Sequence, residues 1–262
     1  MKTLVSRYDK NHIAQLPKIL FQGRIIVVQS ELEVANAVDY LKCHNIIRID
    51  TENKPVFKKG RGMNPVALLQ VSTHDTCFLF RLTHTGLTDE LIDLLTDEGI
   101  VRVGLSLKDD FMQLCRRRSF LPGSFVELQS LAKEMGIVDQ SLQKLYANFF
   151  EKRISKSQQL TNWEADVLTE QQKRYAATDA WACIQLYEEM QELDKRGYML
   201  EIIPEPEPPA PPVLTPEEIK LKEERKKARD KRKRERKRIK EKEARSRRKE
   251  RSNKEIVKNM IA

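Results

Sequence analysis

The sequence predicts an α/β fold, a mixed β-sheet flanked by α-helices, and three observations carry the prediction. Short β-rich runs dominate the first third, at residues 25–30, 46–51, 66–73 and 76–82. From Asp89 onward helical and strand patterns alternate, and a long helical segment follows at about 169–193. Strands joined by short turns, succeeded by α/β alternation, suit a mixed sheet with helices packed on it.

Each element has a local reason. IIVVQS (25–30) is a β-branched run, and ELEVANAVDYLKCH after it carries apolar residues at helical spacing behind Ser30, a suitable N-cap. The runs 46–51, 66–73 and 76–82 are separated by Gly, Pro, Asn and His-Asp, as expected of hairpin-connected strands. DELIDLLTD then reads as a helix, IVRVGLSL as a strand, DDFMQLCRRR as a helix, and 128–150 as helical. The long helix opens at Thr169 with Gln172 three residues on, a capping-box spacing. The predicted organisation is a folded domain over 1–203 (core about 22–195), a Pro-rich linker at 204–216 that cannot hold regular hydrogen-bonded structure, and a Lys/Arg-rich tail at 217–262.

Charge separates these parts. From Glu217 onward there are 22 Lys and Arg against 10 Asp and Glu, a net +12, which leaves residues 1–216 at −3 within the chain's +9. The tail, polar on every face, is expected to be a charged helix or disordered, and to contact phosphate backbones. Cys43, Cys77, Cys115 and Cys183 lie apart, without CxxC pairing, as expected of buried thiols in a reducing compartment. No run reaches the roughly 18 apolar residues of a membrane span and no signal peptide is evident, so a soluble, cytoplasmic protein is expected; in a eukaryote the tail would also suit nuclear import. A P-loop and a dinucleotide fingerprint are both missing from the sequence.

Three places carry candidate chemistry. Asp50 and Glu52 end the strand IIRID with i, i+2 spacing, which puts two carboxylates on one face, a pair that a cation would neutralise. Asp109 and Asp110 follow the strand VRVGLSL at a helix start, where one of the two can cap while the other points into a cleft. Tyr175 and Asp179 are four apart, on one helical face, within the small and apolar stretch AATDAWACI, which implies a buried carboxylate in need of a partner. Water-facing strand ends, caps and surface aspartates would explain each place separately.

In combination and order, IIRIDTEN, PVALLQVST, VGLSLKDDFMQL and NWEADVLTEQQKRYAATDAW resemble the DEDD superfamily of 3′-5′ exonucleases, in its tyrosine branch, over roughly residues 25–193. Ribonuclease D and the Werner syndrome exonuclease domain belong to that branch. The resemblance implies a ribonuclease H-like sheet, hydrolysis of phosphodiesters at nucleic-acid 3′ ends, and two Mg²⁺ or Mn²⁺ ions held by Asp50, Glu52, Asp110 and Asp179. Asp110 is preferred to Asp109 because in the family the ligand is followed four positions later by Leu, here Leu114. By the same resemblance Asp50 would bridge the ions, Glu52 and Asp179 would complete the water-binding site, and Asp110 would hold the second ion largely through water. Tyr175 would orient the attacking water, since a phenol is a poor base at neutral pH. The histidine branch is excluded, because His12, His44, His74 and His84 all lie far upstream of the third motif.

Glu127, where relatives frequently carry Asp, is expected to be structural. Asn53 and Lys54 depart from the short residues common after the first motif and are expected to alter substrate contacts. Lys58, Lys59 and Arg61 are candidate contacts to the scissile strand, and Trp163 and Trp181 are expected in packing. An active exonuclease is favoured over a silent nucleic-acid-binding module, because all four carboxylates and the tyrosine are present; ribonuclease D-like RNA trimming is the neighbouring alternative.

Overall fold

A computed structural model describes residues 1–57 and 62–205, together with positions 224, 227, 229, 230, 232 and 235. Met1–Pro204 forms one unit and Glu205–Ala262 a second. The six positions described beyond 205 are helical and exposed. Lys58, Lys59 and Arg61 lie outside the described residues, as do nearly all of the linker and tail.

A separate two-stranded sheet pairs β1 (Thr3–Val5) in parallel with β8 (Met199–Glu201). The main sheet has six strands, β2 (Arg24–Val28), β3 (Ile46–Asn53), β4 (Val66–Ser72), β5 (Thr76–Arg81), β6 (Val101–Gly104) and β7 (Phe125–Glu127), in the order β2-β5-β4-β3-β6-β7. β3, β4 and β5 pair antiparallel in succession, and the outer pairings β2·β5, β3·β6 and β6·β7 are parallel. A mixed sheet follows, as the order of elements in the sequence predicts.

Strand alternation sorts the two faces. On one, Ile47 and Ile49 of β3, Leu69 and Val71 of β4 and Phe78 and Phe80 of β5 form a core with α2 (Glu31–Lys42), α3 (Asp89–Thr96) and α4 (Leu107–Arg117). On the other, Leu68, Cys77, Leu79 and Val103 pack with α5 (Leu128–Glu134), α6 (Leu142–Phe150) and α7 (Glu170–Arg196). Even-numbered residues of β3 therefore face the α7 layer and odd-numbered ones the α4 layer. A short α1 (Lys10–Ile13) lies between β1 and β2 in the chain.

The helix starts match the sequence chemistry. Ser30 with Glu33 and Thr169 with Gln172 both close full capping boxes. The expected helical stretch 128–150 is in fact two helices, because the chain leaves α5 through Gly136 at φ +81°, a conformation open to glycine, with the Leu200 side chain against it. The strand expected across IVRVGLSL is only β6, and α4 begins two residues earlier than DDFMQL suggests. Cysteine burial is also uneven: Cys77 and Cys183 are buried, Cys115 is intermediate and Cys43 is exposed.

Candidate active site

β3 carries Asp50 and Glu52 toward the α7 layer, where Tyr175 and Asp179 of α7 meet them. All four line one cleft of about 480 Å³. The cleft is also lined by Gln129 of α5, Gln140 of the α5–α6 connection, Gln143 of α6, and Ser155, Lys156 and Gln159 of the loop before α7. The β3–β4 register places Asp50 opposite Gln70 and Glu52 opposite Leu68, then shifts between Glu52 and Asn53. That irregularity bends the strand end where the acidic pair sits.

Asp110 arrives from the other layer and does not line the cleft. It is 9% exposed, in the first turn of α4, and its Oδ1 accepts the Thr51 hydroxyl at 2.6 Å. Thr51, an odd-numbered residue of β3, points to α4 and itself borders the cleft. Asp109 is exposed and makes no capping bond. The work of capping α4 falls to Glu127, whose Oε1 accepts from Ser106 N at 2.6 Å and Oε2 from Leu107 N at 2.9 Å. Ser106 itself sits in the left-handed region at φ 59° and offers no side-chain cap. Glu127 is thus structural, as expected, though nothing local in the sequence connects it to a helix start twenty residues earlier.

The electrostatics are those of crowded carboxylates. Burial, followed by the charges of Asp50, Asp179 and Asp110, pushes Glu52 up to about 10. Burial and then Asp50 push Asp110 up to about 8, with the Thr51 hydrogen bond and Arg48 pulling the other way. Asp179 is pushed up to about 7, again by burial and then Asp50, while the Tyr175 phenol, Arg48 and Lys156 oppose the rise. The phenol of Tyr175 is driven well above its ordinary range by burial and by Asp179, Glu52 and Asp50, so it stays protonated. Trp163, fully buried, packs 6.1 Å from the Tyr175 ring and fixes it from behind.

Among the described residues, no group of three Asp, Glu, His or Cys side chains stands close enough together to hold a metal ion. The four carboxylates surround the strand end without converging, and Asp50 leans on Arg48 at 3.3 Å. Their chemistry nevertheless fits a hard divalent cation. Oδ1 of Asp179 is buried and accepts no hydrogen bond, the donors are all carboxylate oxygens, and the mutual repulsion that raises their proton affinity is what a cation would relieve. No histidine lines the cleft. Asn53, expected to bear on substrate, instead donates to Asn64 O and Gln113 Oε1 and ties the strand end to α4; Lys54 pairs with Glu164 at 3.1 Å.

Comparison with known proteins gives a consistent picture. The sequence pattern of the 3′-5′ exonuclease family matches residues 25–193, well over half the chain. "Exonuclease 3'-5' domain-containing protein 2" of Drosophila melanogaster is 31% identical over 182 residues, covering 63% of this chain and 31% of that protein. The chain therefore matches about a third of that relative's length. A "3'-5' exonuclease" of Arabidopsis thaliana is 29% identical over 192 residues, covering 68% of this chain and 67% of its own. Among solved structures, the Aedes aegypti Nibbler EXO domain superposes with a TM-score of 0.60 at 20% identity, over 74% of this chain and 94% of that one.

Proposed function

The chain belongs to the 3′-5′ exonuclease family, and from that premise we propose that it removes nucleotides one at a time from nucleic-acid 3′ ends by metal-dependent hydrolysis. The observation that carries this reading is the assembly at one strand end of half-buried, mutually repelling carboxylates, one with an oxygen left unpaired. The DEDD superfamily generally uses divalent metal ions. Asp50, Glu52, Asp110 and Asp179 are the residues that would hold two Mg²⁺ or Mn²⁺ ions here. When bound, such ions lower the pKa of water and neutralise charge on the phosphate and the leaving oxygen.

The chain's own groups divide the remaining tasks. Tyr175, kept protonated, donates a hydrogen bond that orients the water attacking phosphorus, the role that the resemblance to the tyrosine branch implies. Lys156 of the cleft lining offers a cation to the phosphate, and the glutamine and serine side chains of that lining can hydrogen-bond sugar and base edges. Hydrolysis adds water across the P–O3′ bond and releases a nucleoside monophosphate. The tail, with its net +12, would hold substrate through non-specific phosphate contacts.

The test uses end-labelled single-stranded DNA, recessed duplex DNA and RNA, each with Mg²⁺, Mn²⁺ or EDTA. Mononucleotide release that needs metal and disappears in a folded Asp50→Ala variant is expected. Strands bound but left uncut with every metal would sink the enzyme reading in favour of a silent binding module.

A further inference from the structure

Three arginines inside the fold act as braces. Arg81 donates to the carbonyls of Ala165 and Asp166, Arg102 to those of Leu94, Asp97 and Ser124, and Arg117 to those of Val66 and Leu82. Arg48 is different. It is 2% exposed; among the described residues its Nε and Nη1 have no hydrogen-bond partner, and its Nη2 forms an ion pair with Asp50 Oδ2 at 3.3 Å. A buried guanidinium without carbonyl acceptors is unfavourable unless charge compensates it.

Position supports the same conclusion. Arg48 lies two residues before Asp50 and four before Glu52, on the same face of β3, and lines the same cleft. Among the described residues, Asp50 is the acid with which Arg48 forms its ion pair.

We propose that Arg48 is a resident counter-cation of the carboxylate site, which neutralises the cluster before divalent ions bind and competes with them for Asp50. The inference rests on the metal-dependent reading of the cleft. Its consequence is a site that folds without metal but binds metal less tightly than its four carboxylates alone would allow. Arg48 is thus a positioning residue, acting through Asp50.

The experiment measures Mn²⁺ binding to the full chain by calorimetry, and melting temperature in EDTA and in Mn²⁺, for wild type, Arg48→Lys, Arg48→Gln and Arg48→Met. Both neutral variants should bind Mn²⁺ at least about threefold tighter than wild type, since a positive charge a few ångströms from the site is gone. Arg48→Lys should stay near wild type, and Mn²⁺ should raise the melting temperature more in the neutral variants. Unchanged or weaker binding by folded neutral variants overturns the proposal. If those variants fold only with Mn²⁺ present, it stands; if they fail with and without Mn²⁺, it falls, because a missing neutralising charge is replaceable by another cation. A wild-type protein that binds no Mn²⁺ removes the metal reading and this inference together, whereas failure confined to the variants removes only the inference.

Discussion

Thr51 donates its hydroxyl to Asp110 Oδ1 at 2.6 Å, joining the first-motif strand to the first turn of α4. The contact follows from strand alternation. Asp50 and Glu52 point to the α7 layer, so the residue between them must point to the α4 layer, where Asp110 is buried. A site built at a strand end can thus draw carboxylates from both layers.

Replacing Thr51 by Val keeps the β-branched shape and removes only the donor. Asp110 then loses the hydrogen bond that favours its ionised form, and turnover should fall by about tenfold to a hundredfold, the usual cost of losing a partner behind a metal-binding carboxylate. Steady-state kinetics with an end-labelled oligonucleotide check this. A rate within a factor of two of wild type would mean that Asp110 needs no orientation.

Glu127 holds α4 through Ser106 N and Leu107 N. Glu127→Ala leaves two helix-start N–H groups without an acceptor and should destabilise the fold by about 1–2 kcal/mol. Urea denaturation measures that loss. Because Asp110 rides on the same first turn, metal affinity should fall as well, and a variant as stable as wild type would contradict the capping role.

Much of this was legible in the sequence, and the exceptions have physical causes. Ser30–Glu33 and Thr169–Gln172 announce their helices because a capping box is a local signal. β1, β7 and β8 escape because strands of three residues carry no periodicity. The break between α5 and α6 escapes because helical spacing continues on both sides of Gly136. Spacing of i, i+2 and i, i+4 puts Asp50 with Glu52 and Tyr175 with Asp179 on shared faces, but only the order of all three motifs, through the family resemblance, marks them as one candidate site. The guanidinium beneath them was also within reach, since Arg48 is in phase with Asp50 and Glu52, but one arginine in an apolar strand looks unremarkable until the opposite layer is known. Glu127 was not within reach, since its partners lie twenty residues away in another element.

Tyr175→Phe tests orientation apart from metal binding. The ring stays packed on Trp163, so the fold should be unaffected, while the lost hydroxyl should slow turnover by about tenfold to a hundredfold. Mn²⁺ affinity should change little. A variant with normal turnover and weakened Mn²⁺ binding would reverse the assignment.

The pH dependence of the metal-free protein is the most direct check on the carboxylate cluster. Burial and Asp50 push Asp179 up to about 7 and Asp110 up to about 8, above the roughly 4 of an unfolded aspartate. Between those limits the folded chain retains protons that the unfolded chain has released, so stability falls as pH rises. Surface acids held low, Glu33 and Asp75 among them, finish titrating below this window and do not contribute to it. In EDTA the melting temperature should therefore drop from pH 5 to pH 8, and less so in Asp179→Asn. Saturating Mg²⁺ should flatten or reverse the slope, because metal binding displaces the same protons. A melting temperature that climbs across this range in EDTA would show that these carboxyls lose their protons at least as readily in the fold as in the unfolded chain, against the raised proton affinities of Asp179 and Asp110.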